Sequence, residues 1–218
     1  HGRGLAVATG AKLGNHELTV ISTGGDGDGF GIGGNHFLHT MRRNIDITYL
    51  TMDNQIYGLT TGQVSPTSVK GMKTKTTPHG NVENPINPIP LAMVAGATYV
   101  ARGYSANPKH LVEMIKGAIT HKGFSFLDVF SPCVTYNKDN TYQWFRPRVK
   151  PLEDEGHDPT NFHKSMDKAY LWGDEIPIGL FWHRTDLPTL EEQEPVLDEG
   201  GPLGYRRELG LTKEQSSD

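Results

Sequence analysis

The chain has 218 residues, 35% of them hydrophobic, which suits one globular domain with a substantial core. A formal net charge of −4 supplies no basic surface for nucleic acid or an anionic membrane, and the apolar runs are too short to span a bilayer. One cysteine excludes an internal disulfide and favours a reducing compartment, read here as the cytoplasm.

The chain opens His1-Gly2-Arg3-Gly4, with no methionine, and a small-residue helix is predicted from Leu5 to Leu13, stopped by Gly14-Asn15. It starts as if mid-domain, so the expectation is a processed protein or a fragment. Leu18 to Ile21 reads as a strand. A glycine-rich stretch, Gly24 to Gly34, leads into a helix from Asn35 to Arg43, and a second strand runs from Ile45 to Met52. Strand, glycine turn, helix and strand make the βαβ unit of a parallel sheet. Both loops then follow carboxyl ends of parallel strands, where open α/β sheets bind ligands. The first supplies the carboxylate of Asp26 and the second the side-chain oxygen of Asn54, 28 positions later. Two hard oxygen ligands beside a glycine-stripped backbone suit Mg²⁺ carrying a phosphate.

Other readings of the glycine stretch fit less well. A dinucleotide fingerprint needs its glycines at the first, third and sixth positions, which Gly27, Gly29 and Gly31 do not match. An EF-hand counted from Asp26 needs a glutamate where Phe37 stands. A turn that merely needs left-handed backbone does not call for two aspartates and a matched Asp-Asn loop.

In the helix that follows, Phe37, Leu38 and Met41 are the predicted buried face, and Arg42-Arg43 complement the carboxyl end of the helix dipole. His36 and His39 have a spacing that can bind a metal, but no third ligand stands nearby, so surface or interface roles are preferred. Residues 64–90 form a long loop rich in Pro, Thr, Lys and Asn, of the kind used as lids or partner surfaces. Its Lys70, Lys73 and Lys75 are either solvated or a docking patch for an acidic partner. Beyond it, helices are predicted over Pro88 to Gly96 and Pro108 to His121, and strands over Thr98 to Ala101 and Phe124 to Phe130. This alternation is that of a doubly wound α/β sheet. From about Pro147 the composition shifts: Asn161 to Trp172 reads as a helix and Ile176 to His183 as a short apolar run. The tail from Pro188 is acidic and is expected to wrap a partner or stay mobile, with Glu191, Glu192 and Glu194 as a solvated face. The expected organisation is a domain over 1–148 and an extension over 149–218.

The motifs resemble a known family. Gly25-Asp26-Gly27 followed by Asn54 is similar to the diphosphate-binding motif of thiamine diphosphate enzymes. The longer match resembles the β subunit of 2-oxoacid:ferredoxin oxidoreductases, closest to the 2-oxoglutarate branch. It comprises Gly25 to Phe37, Arg42 to Asp46, and Asp53-Asn54-Gln55-Ile56-Tyr57-Gly58-Leu59-Thr60-Thr61-Gly62-Gln63, and the likeness extends from His1 to about Arg148. The resemblance implies a thiamine diphosphate-binding fold, with Mg²⁺ held by Asp26, Asn54 and the Ile56 carbonyl, and with Gly27 and Asp28 in contact with the diphosphate. It implies that Gly58 and Leu59 lie against the thiamine ring and the oxoacid; read from residues alone, Leu59 is equally a core leucine. Cys133, by itself a small buried hydrophobe, falls where the family places the fourth ligand of a four-iron four-sulfur cluster. The family's other three cysteines lie in an amino-terminal segment that precedes His1.

The implied activity is oxidative decarboxylation of a 2-oxoacid, foremost 2-oxoglutarate, to an acyl-CoA with electrons passed to ferredoxin. The implied partners are an α subunit, ferredoxin, the 2-oxoacid and CoA. The rivals are a non-redox thiamine diphosphate decarboxylase or synthase, which would need no cluster, and an inert scaffold subunit.

Overall fold

The computed structural model describes residues 1–198 together with 202 and 203. Six strands form a single sheet in the order β1-β2-β4-β3-β6-β5. They are β1 (Ile21–Gly25), β2 (Thr48–Asp53), β3 (Tyr99–Tyr104), β4 (Ser125–Phe130), β5 (Val149–Pro151) and β6 (Ile176–His183). β1, β2, β4 and β3 run parallel, as the alternation of strands and helices requires. β6 then adds antiparallel to β3, and β5 pairs parallel with β6, so the sheet is mixed rather than wholly parallel.

Two helices follow the predicted pattern closely. α1 (Gly4–Gly14) precedes β1, and α2 (Gly34–Arg43) connects β1 to β2. α3 (Pro88–Ala95) starts on proline and ends at Gly96, whose φ of +100° is the left-handed cap that glycine adopts without a Cβ penalty. α4 (Pro108–Thr120) crosses from β3 to β4 and is capped by the Asn107 side chain. Short α5 (Tyr142–Phe145) and α6 (Phe162–Ala169) flank the added strands. α7 (Leu190–Gln193) and α8 (Pro195–Asp198) close the described chain.

The first strand is displaced from its predicted place: Leu18 is exposed and pairing begins at Ile21, so Gly24 and Gly25 belong to the strand. On α2 the buried set is Phe37, Thr40 and Met41, while Leu38 faces solvent. The principal core lies between this face of the sheet and α1, α2 and α3. Phe37 sits at its centre, edge-on to Phe30 at 5.1 Å and to Phe126 at 4.9 Å between ring centroids. Each such aromatic removes a large apolar area from water. Phe30 stands in the glycine stretch itself, so the core fixes the loop that follows β1. α4 covers the opposite face over β3 and β4, with Ala118 buried and Leu111, Met114 and Ile115 packed around it.

The tail after Pro188 corrects one expectation. Thr189 and Glu192 make a reciprocal capping box at the start of α7. Glu191 is buried, accepts from the Asp46 N–H at 3.0 Å and lies 3.9 Å from the buried Lys12 ammonium. A charge on Lys12 inside the protein needs this carboxylate and that of Asp46, 2.9 Å away. Glu191 is therefore an internal counter-ion, and Glu192 a cap. The part of the tail expected to wrap a partner lies largely outside the described residues.

Candidate cofactor site

The register of the sheet builds the site. Gly25 pairs with Met52, which ends β1 and β2 side by side and places Asp26 next to the Asp53-Asn54 turn. The Asn54 N–H points at Asp26 Oδ1 at 3.5 Å, so the two loops predicted to share a ligand are in contact at one sheet edge. Beyond Asp26 the chain enters a π-helical turn, Gly27–Ile32, that runs through Gly33 into α2. Glycine is required in this turn for proximity. A Cβ on Gly27 would stand 2.1 Å from the Tyr57 ring, and one on Gly29 would stand 2.3 Å from the Tyr49 hydroxyl. Tyr57 in turn donates its hydroxyl to the Gly27 carbonyl at 3.0 Å, locking the second loop onto the first.

Asn54 Oδ1 accepts the Ile56 N–H at 3.1 Å, an Asx turn that aims the side-chain oxygen and leaves it a second lone pair. The Ile56 side chain is buried. Asp28 accepts the Gly2 N–H at 2.5 Å and thereby ties the first residues of the chain to the turn. Gly58 and Leu59 stand on a tight loop closed by the Tyr57–Gln63 bridge, and Leu59 is 99% exposed. The core reading of Leu59 is excluded, and its whole side chain is free for a ligand or a partner. His36 contacts Arg3 and His39 contacts Arg42, consistent with surface roles.

The carboxylates are buried deeply. Desolvation raises the pKa of Asp26, against hydrogen bonds from Ser65, Thr67 and the Asn54 backbone that lower it. Asp53 is raised well above the usual range by burial and by the charges of Asp128 and Asp26. Asp128 is pushed up to about 6 by burial, against the pull of Arg102. Asp128 and Asp53 thus act on one buried guanidinium, whose Nε donates to Asp128 Oδ2 at 3.2 Å. Asp128 Oδ1 and Gln55 Oε1 are buried without a hydrogen-bond partner, and their residues help to line a cavity of about 270 Å³.

Sequence reasoning missed the residues that hold Asp26. Loop 64–87 has no helix or strand, yet Ser65, Thr67 and Ser68 are buried in it. Ser65 and Thr67 both donate to Asp26 Oδ2, at 2.5 and 2.6 Å, and Ser68 donates to the Gln55 carbonyl at 2.6 Å. Thr67 is also 3.0 Å from Asp53 Oδ1. A threonine has one hydroxyl hydrogen, so Thr67 stands between the Asp26 and Asp53 carboxyls with a single proton to give to either. The only available signal was a run of hydroxyl residues, Ser65-Pro66-Thr67-Ser68, just past the second loop.

Cys133 follows β4 and lies against the same loop, with Sγ 3.6 Å from where a Cβ on Gly58 would stand. Burial works to raise its pKa, but the N–H groups of Tyr136, Thr135 and Asn137 and the Lys138 charge outweigh it, and the thiol is held below its ordinary value. Asn137 also donates to the Asn54 carbonyl at 3.0 Å, bracing the cysteine loop on the Asn54 turn.

For a divalent ion the donor set fits. Asp26 Oδ1 and Asn54 Oδ1 are hard oxygens with free lone pairs on touching turns, and a cation would offset the buried acid excess. No group of three or more His, Cys, Asp or Glu side chains that could hold a metal is present among the described residues.

A two-loop site at the carboxyl ends of two adjacent parallel strands is the arrangement expected of a thiamine diphosphate-binding domain, and the family comparison bears this out. The profile described as thiamine pyrophosphate enzyme, C-terminal TPP binding domain, matches residues 1–129. A second, which describes the C-terminal region of the pyruvate ferredoxin oxidoreductase beta subunit, matches residues 133–199. The chain is 46% identical over 203 residues to a 2-oxoacid:ferredoxin oxidoreductase subunit beta of Sulfolobus, covering 88% of this chain and 67% of that one. It is 51% identical over 203 residues to the 2-oxoglutarate synthase subunit KorB of Methanocaldococcus jannaschii, covering 91% and 73%. Among solved structures, a 2-oxoglutarate:ferredoxin oxidoreductase from Magnetococcus marinus, with 2-oxoglutarate, coenzyme A and succinyl-CoA bound, matches with a TM-score of 0.87 at 44% identity. That match covers 98% of this chain and 74% of the other. The chain belongs to the family of β subunits of thiamine diphosphate-dependent 2-oxoacid:ferredoxin oxidoreductases, and it spans about two thirds of the length of the first curated relatives it matches. A β subunit implies an α subunit beside it. No helix among the described residues is long and apolar enough to cross a membrane.

Proposed function

We propose that this chain is the cofactor-holding β subunit of an enzyme that oxidatively decarboxylates a 2-oxoacid, 2-oxoglutarate foremost, to an acyl-CoA. Cys133 would give one thiolate to a four-iron four-sulfur cluster, which would supply one-electron transfer toward ferredoxin. Asp26, Asn54 and the Ile56 carbonyl hold Mg²⁺, which carries the diphosphate, and Gly27 and Asp28 touch that diphosphate. The bound thiamine ring supplies the electron sink for loss of carbon dioxide. The chain's own residues position it. Tyr57 and Tyr49 keep the glycine turn close, and Gly58 and exposed Leu59 stand against the ring and the oxoacid. Fixing the reacting groups in this way is worth several kcal/mol of the barrier. A reducing cytoplasm is the compartment that suits this chemistry.

The observation that carries this reading is the contact between the Asp26 and Asn54 turns at one sheet edge. The lowered pKa of the Cys133 thiol, beside the Gly58 loop, supports the cluster assignment, because a cluster binds the thiolate. The test is the assembled complex offered a panel of 2-oxoacids, with acyl-CoA formation and ferredoxin reduction measured together. Coupled formation of both, fastest with 2-oxoglutarate, is expected. Decarboxylation without ferredoxin reduction, or an iron-free complex of full activity, would refute it.

A further inference from the structure

Asp26 does not meet its surroundings with both oxygens alike. Its Oδ2 is met by two buried hydroxyls, Ser65 at 2.5 Å and Thr67 at 2.6 Å, the latter the shorter of the two contacts that Thr67 makes to carboxylates. Its Oδ1 has only the long contact to the Asn54 N–H at 3.5 Å. The donors are themselves fixed. The Ser65 N–H donates to Ser68 Oγ at 2.7 Å, and Ser68 donates onward to the Gln55 carbonyl. Asn81 holds the loop from outside through the Ser68 and Val69 carbonyls. The result is a carboxylate with one oxygen spoken for and one presented.

We propose that Ser65 and Thr67 are positioning residues that make Asp26 a one-oxygen ligand and so set the site's preference for Mg²⁺ over Ca²⁺. This rests on the reading that Asp26 binds the cation of the cofactor. Mg²⁺ demands near-ideal octahedral geometry with single-oxygen carboxylate ligands, whereas Ca²⁺ takes more oxygens at longer distance and readily accepts both oxygens of one carboxylate. Occupying Oδ2 with two hydroxyl donors removes the two-oxygen mode. It also fixes the direction of Oδ1, as outer-shell hydrogen bonds do for metal ligands generally. Ser65 and Thr67 thus act through Asp26 and need not touch cofactor or substrate.

The test is a titration of the intact, metal-stripped complex with Mg²⁺ and with Ca²⁺ at saturating thiamine diphosphate. Cofactor binding is followed by tryptophan fluorescence, independently of turnover. Thr67→Val keeps the shape and removes the hydroxyl. It is expected to weaken Mg²⁺ about 10–100-fold while weakening Ca²⁺ much less, so the Mg²⁺/Ca²⁺ ratio falls. Ser65→Ala should act in the same direction, and Thr67→Ser should restore the ratio. Asn81→Ala loosens the same loop without contacting Asp26 and should leave the ratio unchanged. Equal weakening of both ions by Thr67→Val, no weakening at all, or the same change of ratio in Asn81→Ala would overturn the proposal. Asp26→Ala separates the two claims: if it leaves cofactor affinity intact, the cation site itself is misassigned. If it abolishes binding while Thr67→Val leaves the ratio untouched, only the positioning role fails.

Discussion

Arg102 is the cation on which the buried acids depend, and its removal gives the sharpest test of the electrostatics beneath the site. Its guanidinium is almost wholly buried. Nε meets Asp128 Oδ2 at 3.2 Å, Nη2 meets Asn87 Oδ1 at 3.3 Å, and the group lies over the Phe130 and Phe181 rings at 5.0 and 5.3 Å. Arg102→Met keeps most of the side-chain volume but leaves Asp128, fully buried, with no counter-charge beside it. Breaking such a pair from one side costs about 3–5 kcal/mol. For a chain of this size that is a fall in melting temperature of about 6–20 °C. Arg102→Met/Asp128→Leu removes both charges and should recover much of the loss, because an apolar pair of similar volume is often as stable as a buried ion pair. Asp128 already has its pKa raised to about 6, above the unfolded 3.8. Without Arg102 it rises further, so the penalty is largest at neutral pH and shrinks as the medium is acidified and the carboxyl takes up a proton. Denaturant unfolding of the two single variants and the double variant, at neutral and acidic pH, measures all of this. A loss below about 1 kcal/mol for Arg102→Met, or a double variant no better than the sum of the singles, would refute the reasoning.

Other consequences are simpler to check. Gly27→Ala drives a methyl to 2.1 Å from the Tyr57 ring and must open the contact between the two loops. Cofactor affinity should fall at least tenfold in equilibrium titration, with little change in far-ultraviolet circular dichroism. His121 is buried against Thr98, Tyr99 and His183, with Asp46 as the nearest acid, and burial holds its pKa down to about 4. The unfolded chain binds the proton near pH 6.5 and the folded one only near 4, so stability is lost as pH falls through that interval. The full shift corresponds to about 3 kcal/mol, and partial solvent contact of the ring reduces the expected loss to about 1–2 kcal/mol. His121→Gln should flatten that part of the stability profile. Leu59→Asp leaves folding untouched, because the side chain is 99% exposed, but should weaken turnover of the assembled complex. An unaltered turnover would mean that Leu59 meets neither ligand nor partner.

Much of the fold was legible because its signals are local. The glycine turn, the Pro88 and Pro108 helix starts and the apolar strands each follow from a few adjacent residues. The Asp26–Asn54 pairing was legible too, since parallel strands bring their following loops to one edge. What was hidden depended on distance in sequence. Ser65 and Thr67 look like loop hydroxyls until the chain folds back over Asp26, and Asn137 bonds the Asn54 carbonyl from 83 residues away. Glu191 reads as a surface acid because nothing near it in sequence announces Lys12 and the Asp46 backbone. The antiparallel addition of β6 was likewise unreadable from an apolar run that fits either direction.

The central claim is that a divalent ion between the Asp26 and Asn54 turns anchors the cofactor's diphosphate. Its most direct measurement is thiamine diphosphate affinity of the intact complex and of its Asp26→Ala form in Mg²⁺-replete buffer. The account predicts a loss larger than the roughly 10–100-fold that an outer-shell partner brings. Unchanged affinity in the Asp26→Ala complex would contradict it.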